Sequence, residues 1–231
     1  MNKDLNYWLD LFIKVLDKLP LTLFMMIVSL FFALVIAVIV AVIRIKHVRI
    51  LSGLAALYLS FTRSTPLLVQ IFLIYFGLPQ LLLVFHIDIN HWNRLIFVIA
   101  AFSLHTGSYL AEIMRAAYQA VGKEQLEAAL SVGMSYPQAI RRIILPQAFV
   151  IALPNIGNQA IELLKDTSLA FTIGIIDIMG QVRIILGNNH GIGIFEVYVV
   201  ISIVYWIICI FIELIINVME GSVRKRRALL K

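Results

Sequence analysis

The chain has 231 residues, of which 61% are hydrophobic and 14% are charged, and its mean hydropathy is +0.96. Soluble domains carry about 25% charged residues, so this composition excludes an ordinary soluble domain and places most of the chain in lipid. The single cysteine, Cys209, excludes an internal disulfide. The net charge of +6 comes from basic residues beside apolar segments, which indicates a role in membrane topology rather than nucleic-acid binding.

Residues 1–19 form an N-terminal segment in which acidic and basic residues alternate among apolar ones. The apolar positions recur at roughly helical spacing: Leu5, Leu9, Phe12, Leu16 and Leu19. This pattern predicts an amphipathic helix that lies on the outer surface of the membrane. A partly ordered terminus is the alternative.

Five segments have the length of about 20 mostly apolar residues that a membrane-spanning helix requires. We refer to them as spans one to five: Leu21–Ile43, Leu54–Leu78, Leu95–Tyr118, Phe149–Ile176 and Phe195–Met219. Backbone groups in lipid must bond within their own segment, so helices are expected, and the long apolar runs exclude a β-barrel pattern. The predicted fold is an all-α membrane protein, with residues 20–219 as one transmembrane domain.

Basic residues are distributed unevenly between the loops on the two sides of these spans. The segments after spans one, three and five are rich in lysine and arginine, whereas the other two loops hold Arg94 and Arg183. Cytoplasmic loops are enriched in basic residues, so this pattern predicts an external N-terminus and a cytoplasmic C-terminus. Residues 220–231 are expected to form a basic cytoplasmic tail on anionic lipid headgroups. Binding of a nucleic acid or a specific lipid is the alternative.

The cytoplasmic loop between spans three and four, residues 123–146, has the composition of two short helices. Lys123–Leu130 consists of strong helix formers, and Gly133 interrupts this pattern as a helix end would. Ser135 and Pro137 are typical of a new helix start, and this second helix is expected to end at Pro146. The prediction is a helical hairpin that a soluble partner could bind.

Seven residues of this hairpin resemble the EAA loop of ABC importer permeases in identity and spacing: Glu127, Ala128, Ala129, Gly133, Ile143, Leu145 and Pro146. Three further segments resemble those of polar amino acid permeases: Arg63–Leu67 (RSTPL), Tyr109–Arg115 (YLAEIMR) and Lys165–Leu169 (KDTSL). The similarity covers roughly Leu21–Met219. It implies the type I importer fold, which has five spans per subunit, in agreement with the spans above.

The resemblance implies that this chain is one part of a larger transporter in the bacterial cell membrane. The chain has no GxxxxGK[ST] phosphate loop, so ATP and Mg²⁺ are expected on a separate ABC ATPase subunit, with no cofactor here. Two permease subunits would pair with two ATPase subunits, and an extracytoplasmic binding protein would deliver a polar amino acid. The hairpin would dock on the ATPase and drive alternating access.

Individual hairpin residues have expected roles in this coupling. We expect Glu127 to bond backbone or basic groups within or across the hairpin. Ala128 and Ala129 are expected to permit close approach of the two helices. Gly133 is expected to permit a turn that a side chain would obstruct.

Charged residues within the spans are costly in lipid and therefore mark pairing or function. Span four holds Glu162 and Asp166 on one helix face, with Lys165 placed to neutralise Glu162. The carboxylates could bind the ammonium group of an amino acid, while Lys165, Thr167 and Ser168 could bind its carboxylate. A self-satisfied cluster that holds the bundle together is the alternative.

Polar residues of span two precede a proline, which leaves backbone carbonyls without their usual donors. Ser64 and Thr65 could donate to these carbonyls or line the pore. Glu112 and Arg115, one turn apart in span three, are expected to form a structural ion pair rather than a substrate contact.

Other functions remain as alternatives from the sequence. The chain could be an ATP-independent secondary transporter or channel, or an intramembrane enzyme acting on lipid, although no catalytic arrangement and no metal-ligand spacing are found. Tyr75–Gln80 and the segment KDTSLA look most like cystine-type permeases, whereas a cationic amino acid would also suit Glu162 and Asp166. Homodimer and heterodimer are both open.

Overall fold

The computed structural model describes residues 5–228, with side chains through Gly221. This part of the chain folds into helices without strands: α1 Leu5–Leu16, α2 Leu19–Ile45, α3 Arg49–Ser64, α4 Leu67–Leu83, α5 Arg94–Ala120, α6 Lys123–Ser131, α7 Tyr136–Ile173, α8 Ile178–Asn188 and α9 Ile194–Ala228. Within α4 and α7 one turn is wider than an α-helical turn, and α7 ends in a tighter 3₁₀ segment. The all-α prediction is confirmed.

Four of the five predicted spans are continuous helices long and apolar enough to cross a membrane: α2, α5, α7 and α9. The predicted span two is divided between two helices, α3 and α4, which meet at a bend of 115°. Thr65, the residue before Pro66, is extended at φ −111° and ψ 140°. A proline disfavours helical backbone in the residue before it, and this accounts for the break.

The centre of the bundle is the contact between α2 and α5, in which small residues permit close approach. Ala33 and Ala37 are fully buried, and a Cβ added to Gly107 would lie 3.0 Å from the Ile36 side chain. The Ser103 hydroxyl donates a hydrogen bond to the Ser29 carbonyl at 3.3 Å. Close backbone approach of this kind is how helices associate in lipid, where no hydrophobic force drives them together.

A second apolar cluster joins α1, α8 and α9 at the end of the bundle opposite the 123–146 hairpin. Leu11 and Val15 are the buried residues of α1, whereas Leu5, Leu9 and Leu16 are exposed. The N-terminal segment is thus a helix as expected, and Phe12 and Leu19 of the predicted apolar positions also pack against this cluster. Whether it lies on the membrane surface stays a prediction, and residues 1–4 lie outside the described part.

Helix α8 occupies part of the 177–196 stretch, for which the sequence analysis gave no structure. Asp177 caps α8, and its carboxylate accepts a hydrogen bond from the Gly180 N–H at 2.8 Å. Helix α9 continues past the end of span five into the basic tail as far as Ala228, and residues 229–231 lie outside the described part.

The second hairpin helix does not end at Pro146, contrary to the prediction. Pro146 is the second residue of the α-helical segment Leu145–Asp166, which follows a wide turn at Ile140–Ile144. In that turn the Leu145 N–H bonds the Ile140 carbonyl, five residues back. The wide turn relieves the clash that a proline would otherwise cause, so the hairpin helix and span four form one rod, α7.

Candidate functional site

The turn of the hairpin, residues 131–135, joins α6 to α7 through a Schellman motif. The Met134 N–H bonds the Ala129 carbonyl at 3.2 Å, and the Gly133 N–H bonds the Leu130 carbonyl at 3.0 Å. Gly133 has φ +84°, a left-handed conformation that favours glycine. A Cβ at this position would meet nothing within 4 Å, so backbone conformation rather than crowding requires the glycine.

The start of α7 is fixed by a capping box. The Ser135 N–H donates to the Gln138 side-chain oxygen at 2.9 Å, and Pro137 occupies the first turn. The expected helix start is confirmed. Because both ends of the turn are closed by hydrogen bonds, the hairpin is held in one geometry.

The inner surface of the hairpin is formed by small and aliphatic residues. Ala129, Ala139 and Ile144 are buried, which supports the close helix approach expected from Ala129. Ala128 is exposed, so it does not contribute to that approach. The Gln147 side chain donates to the Gln125 side-chain oxygen at 3.4 Å, which bridges the two helices.

The outer surface of the hairpin exposes apolar and aromatic side chains. Val132 is 78% exposed, Tyr136 53% and Leu145 51%. Pro146 is exposed beside Leu145, and Ile143 is half-buried. Exposed apolar residues at a tight turn are typical of a surface that binds a protein partner.

The Glu127 carboxylate does not form the bond that was expected of it. Glu127 is exposed, and within the described residues its side chain has no hydrogen bond or ion pair; only its carbonyl accepts a bond, from the Ser131 hydroxyl at 2.9 Å. The carboxylate therefore projects from the hairpin and is accessible to a partner.

A polar face runs along α7 within the membrane span. Asn155, Asn158, Glu162 and Lys165 lie three or four residues apart, and all four are exposed on this chain. The two asparagines were not singled out from the sequence, although they follow the same helical spacing as the charges. We call these four residues the α7 polar face.

The predicted charge cluster of span four is only partly assembled. Glu162 and Lys165 form no ion pair among the described residues, and neutralisation of Glu162 by Lys165 stays a prediction. Glu162 and Asp166 do interact electrostatically. Thr167 is buried, and its hydroxyl donates to the Leu164 carbonyl at 2.6 Å, so it lies away from the polar face. Ser168 is half-buried.

The α3–α4 bend is stabilised by a polar network that extends to α5. The Thr65 hydroxyl donates to the Phe61 carbonyl at 2.8 Å, and the same carbonyl accepts the Thr65 N–H at 3.1 Å. The buried Gln70 side chain donates to the Thr62 and Thr65 carbonyls at 2.8 and 2.9 Å. His105 Nδ1 lies 3.2 Å from the Gln70 side-chain oxygen, and the His105 ring interacts electrostatically with Glu162.

Gln70 and His105 were missed by the sequence analysis. Their contact joins residues 35 positions apart, and no local pattern marks such a pair. This contact connects the α3–α4 bend to α5. His105 of α5 in turn interacts electrostatically with Glu162 of the α7 polar face.

Ser64 is exposed and, within the described residues, makes no hydrogen bond. The carbonyl that Pro66 leaves without its helical donor is that of Thr62, and the Gln70 side chain bonds it. Ser64 lines a cavity of about 470 Å³ together with Arg63, Tyr109 and Glu112. Arg63 stacks over the Tyr109 ring at 5.6 Å. Glu112 and Arg115 form the expected ion pair at 2.7 Å.

Comparisons with known proteins agree with this architecture. The L-cystine transport system permease protein TcyL of Bacillus subtilis is 40% identical over 97% of this chain and 93% of its own length. The "Probable amino-acid permease protein YxeN" of Bacillus subtilis is 42% identical over 96% of each chain. A solved amino acid ABC transporter chain, crystallised with histidines, superposes with a TM-score of 0.83 at 29% identity, over 96% of this chain and all of that one.

Residues 33–225 match the family described as "Binding-protein-dependent transport system inner membrane component". This range includes the hairpin, the α3–α4 bend and the α7 polar face. The chain therefore belongs to this family of ABC importer permeases: it is a transporter subunit rather than an enzyme, and ATP is hydrolysed on a separate subunit.

Proposed function

We propose that this chain is the permease subunit of an importer for polar amino acids, and that the α7 polar face lines the path of the substrate. The observation that carries the proposal is the exposure of Glu162 and Lys165 within a membrane span. Each charge would cost roughly 2.5–3.5 kcal/mol if it faced lipid. A face that carries both must instead border water or a second protein surface.

The chemistry of this face suits an amino acid. Glu162 offers a carboxylate for an ammonium group, Lys165 offers an ammonium for a carboxylate, and Asn155 and Asn158 offer amides that can donate or accept. Neither Glu162 nor Lys165 forms a salt bridge within the described residues, although both interact electrostatically with Asp166. The similarity to a cystine permease supports cystine as the first substrate to test.

A second permease subunit would complete the path, since the α7 polar face is open on one chain. Homodimer and heterodimer both satisfy this requirement. An extracytoplasmic binding protein would supply the substrate on the side of α8. The expected orientation places the N-terminus outside and the C-terminus in the cytoplasm, with the hairpin on the cytoplasmic side.

The hairpin would be the docking site for the ATPase subunit. Val132 and Tyr136 supply an exposed apolar surface, and Glu127 supplies an unpaired charge beside it. Since the second hairpin helix and span four are one rod, a displacement at Val132 would move the α7 polar face directly. This continuity supports a mechanical link between the ATPase and the substrate path.

The proposal can be tested by uptake of radiolabelled cystine into vesicles that hold this chain, its ATPase and its binding protein. Glu162→Gln removes the charge with little change in shape and should reduce uptake at least tenfold. Glu213→Gln is the matched control, because Glu213 is an exposed carboxylate of α9 outside the polar face.

Normal uptake by Glu162→Gln would remove this face from the transport path. If several amino acids are taken up but cystine is not, the permease function stands and the cystine assignment fails. Uptake without the ATPase subunit would contradict the coupling and favour secondary transport.

A further inference from the structure

An apolar groove runs along the outside of the bundle between α2, α5, α7 and α9. Its volume is about 550 Å³, and its walls include Leu34, Val38, Met114, Phe149 and Met219. Its α2 wall extends from Leu34 to Ile45, a rise of about 17 Å at 1.5 Å per residue. That depth equals roughly half of a hydrocarbon core that is about 30 Å thick, which is the length of one lipid leaflet.

A polar cavity of about 490 Å³ lies at the hairpin end of this groove. Its lining contains the cations Arg44, Arg115 and Lys123 together with His47, and no carboxylate. It lies where the apolar part of α2 ends and α6 begins, so its level is that of the lipid headgroups. The two cavities share Ile45 and Tyr118 as lining residues, so they adjoin each other, and together we call them the cleft.

The charges around the polar cavity favour an anion. Arg115 is already bound to Glu112 at 2.7 Å, and the Glu124 carboxylate is folded against Gly122. Arg44 and Lys123 have no ion pair within the described residues. The Arg44 Nε is buried, and among those residues it has no hydrogen-bond partner. A buried guanidinium donor without an acceptor is costly, so this cavity is one hydrogen-bond acceptor short.

We propose that this cleft binds one anionic phospholipid, with the phosphate headgroup at Arg44 and Lys123 and an acyl chain in the apolar groove. Both volumes fall in the range of about 300–1,000 Å³ that is typical of ligand sites. A basic pocket between membrane helices is suited to an acidic headgroup. The site is separate from the α7 polar face and does not depend on which amino acid is transported.

The test uses the assembled transporter in detergent, with native mass spectrometry to count bound phosphatidylglycerol and zwitterionic phosphatidylethanolamine. Phosphatidylglycerol should remain bound and phosphatidylethanolamine should not. Lys123→Gln and Arg44→Gln should each weaken phosphatidylglycerol binding about fivefold, the factor that corresponds to about 1 kcal/mol per cation. Arg141→Gln, which removes an exposed hairpin cation outside the cavity, should have no effect.

The acyl-chain half of the site is tested separately. Val38→Trp fills the groove and should reduce lipid binding, whereas Val35→Trp, on the same helix but outside the groove, should not. If Arg44→Gln fails to insert into the membrane, the comparison of Val38→Trp with Val35→Trp still tests the lipid site.

Three results would overturn the proposal. Equal retention of the two lipids would show that no charge is recognised. Displacement by inorganic phosphate, with no effect of Val38→Trp, would indicate a small-anion site. Loss of phosphatidylglycerol on assembly, after binding to the single chain, would show that another subunit covers the cleft.

Discussion

Gly133 is required for its backbone angle. Its φ of +84° places it in the left-handed region, and open space surrounds the position of its missing Cβ. Substitutions at Gly133 are therefore expected to differ only in the free energy that each residue needs to adopt the left-handed conformation. Asparagine tolerates the left-handed region, whereas a β-branched residue is disfavoured there by at least about 1–2 kcal/mol.

We predict that Gly133→Val abolishes substrate-stimulated ATP hydrolysis while the chain still inserts into the membrane. Gly133→Asn should retain most of the activity, since it can adopt the same angle. ATPase assays of the reconstituted transporter, with insertion checked by membrane fractionation, measure both. Equal loss in the two variants would indicate that the side chain blocks a partner, and equal activity would exclude this turn from coupling.

Asp177 is a buried helix cap with one carboxylate oxygen unsatisfied. Its Oδ1 accepts the Gly180 N–H, whereas its Oδ2 is buried and has no hydrogen-bond partner in the described part of the chain. Burial raises the pKa of Asp177 from 3.8 to about 6, against the lowering effect of backbone hydrogen bonds from Gly180 and Met179. The folded chain thus holds a proton that the unfolded chain releases near pH 4.

The sign of the resulting pH dependence follows from this difference. Because the folded state binds the extra proton, stability is highest below about pH 4, falls as pH rises to about 6 and is then level. The loss is on the order of 2–3 kcal/mol. Thermal unfolding in detergent from pH 4 to 8 should show this slope in the native chain and in Asp10→Asn, an exposed control in α1. The slope should be clearly shallower in Asp177→Asn.

At the scale of elements, the packing of α2 on α5 depends on Gly107. A Cβ there would lie 3.0 Å from Ile36 Cγ2 and 3.2 Å from the Ala33 carbonyl, tighter than ordinary contacts. The helices would have to separate to admit any larger side chain. In lipid, that separation forfeits van der Waals contact without a compensating hydrophobic force.

Gly107→Leu is expected to lower the melting temperature of the detergent-solubilised chain and to cost about 1–3 kcal/mol. Gly53→Leu is the control, because nothing lies within 4 Å of a Cβ at that helical position. Both changes improve helix propensity equally, so the difference between them isolates packing. A smaller effect at Gly107 than at Gly53 would contradict the close α2–α5 contact.

The two prolines Pro66 and Pro146 have different effects on the helices that contain them. The helix is interrupted at Pro66, where the second span bends between α3 and α4. It is not interrupted at Pro146, because the wide turn Ile140–Ile144 accommodates the proline. A proline does not by itself indicate which of these outcomes follows. Gln70 and the Ile140–Ile144 turn distinguish them, and both act through contacts or hydrogen bonds that depend on the folded backbone.

At the scale of the molecule, α7 separates the hairpin from α8, so these two regions should lie on opposite sides of the membrane. The single cysteine permits a direct measurement after Cys209→Ser. Ser131→Cys in the hairpin should react with an impermeant thiol reagent only from the cytoplasmic side, and Asn189→Cys after α8 only from the outside. Labelling of both from one side would refute the orientation and the docking role of the hairpin.

Much of the architecture followed from the amino-acid sequence by itself. A backbone in lipid must satisfy its polar groups within one helix, so long apolar runs locate α2, α5, α7 and α9 without any tertiary information. The hairpin turn was equally predictable, because Gly133 and the Ser135 cap act through hydrogen bonds to residues within five positions.

The tertiary structure alone decided which polar groups meet. The Gln70–His105 contact and the joint cleft beside Tyr118 depend on the placement of separate helices. Helical spacing determines which residues share a face of a helix, but not which neighbouring surface that face contacts. In this chain the opposed surface decides whether a charge is paired or left exposed.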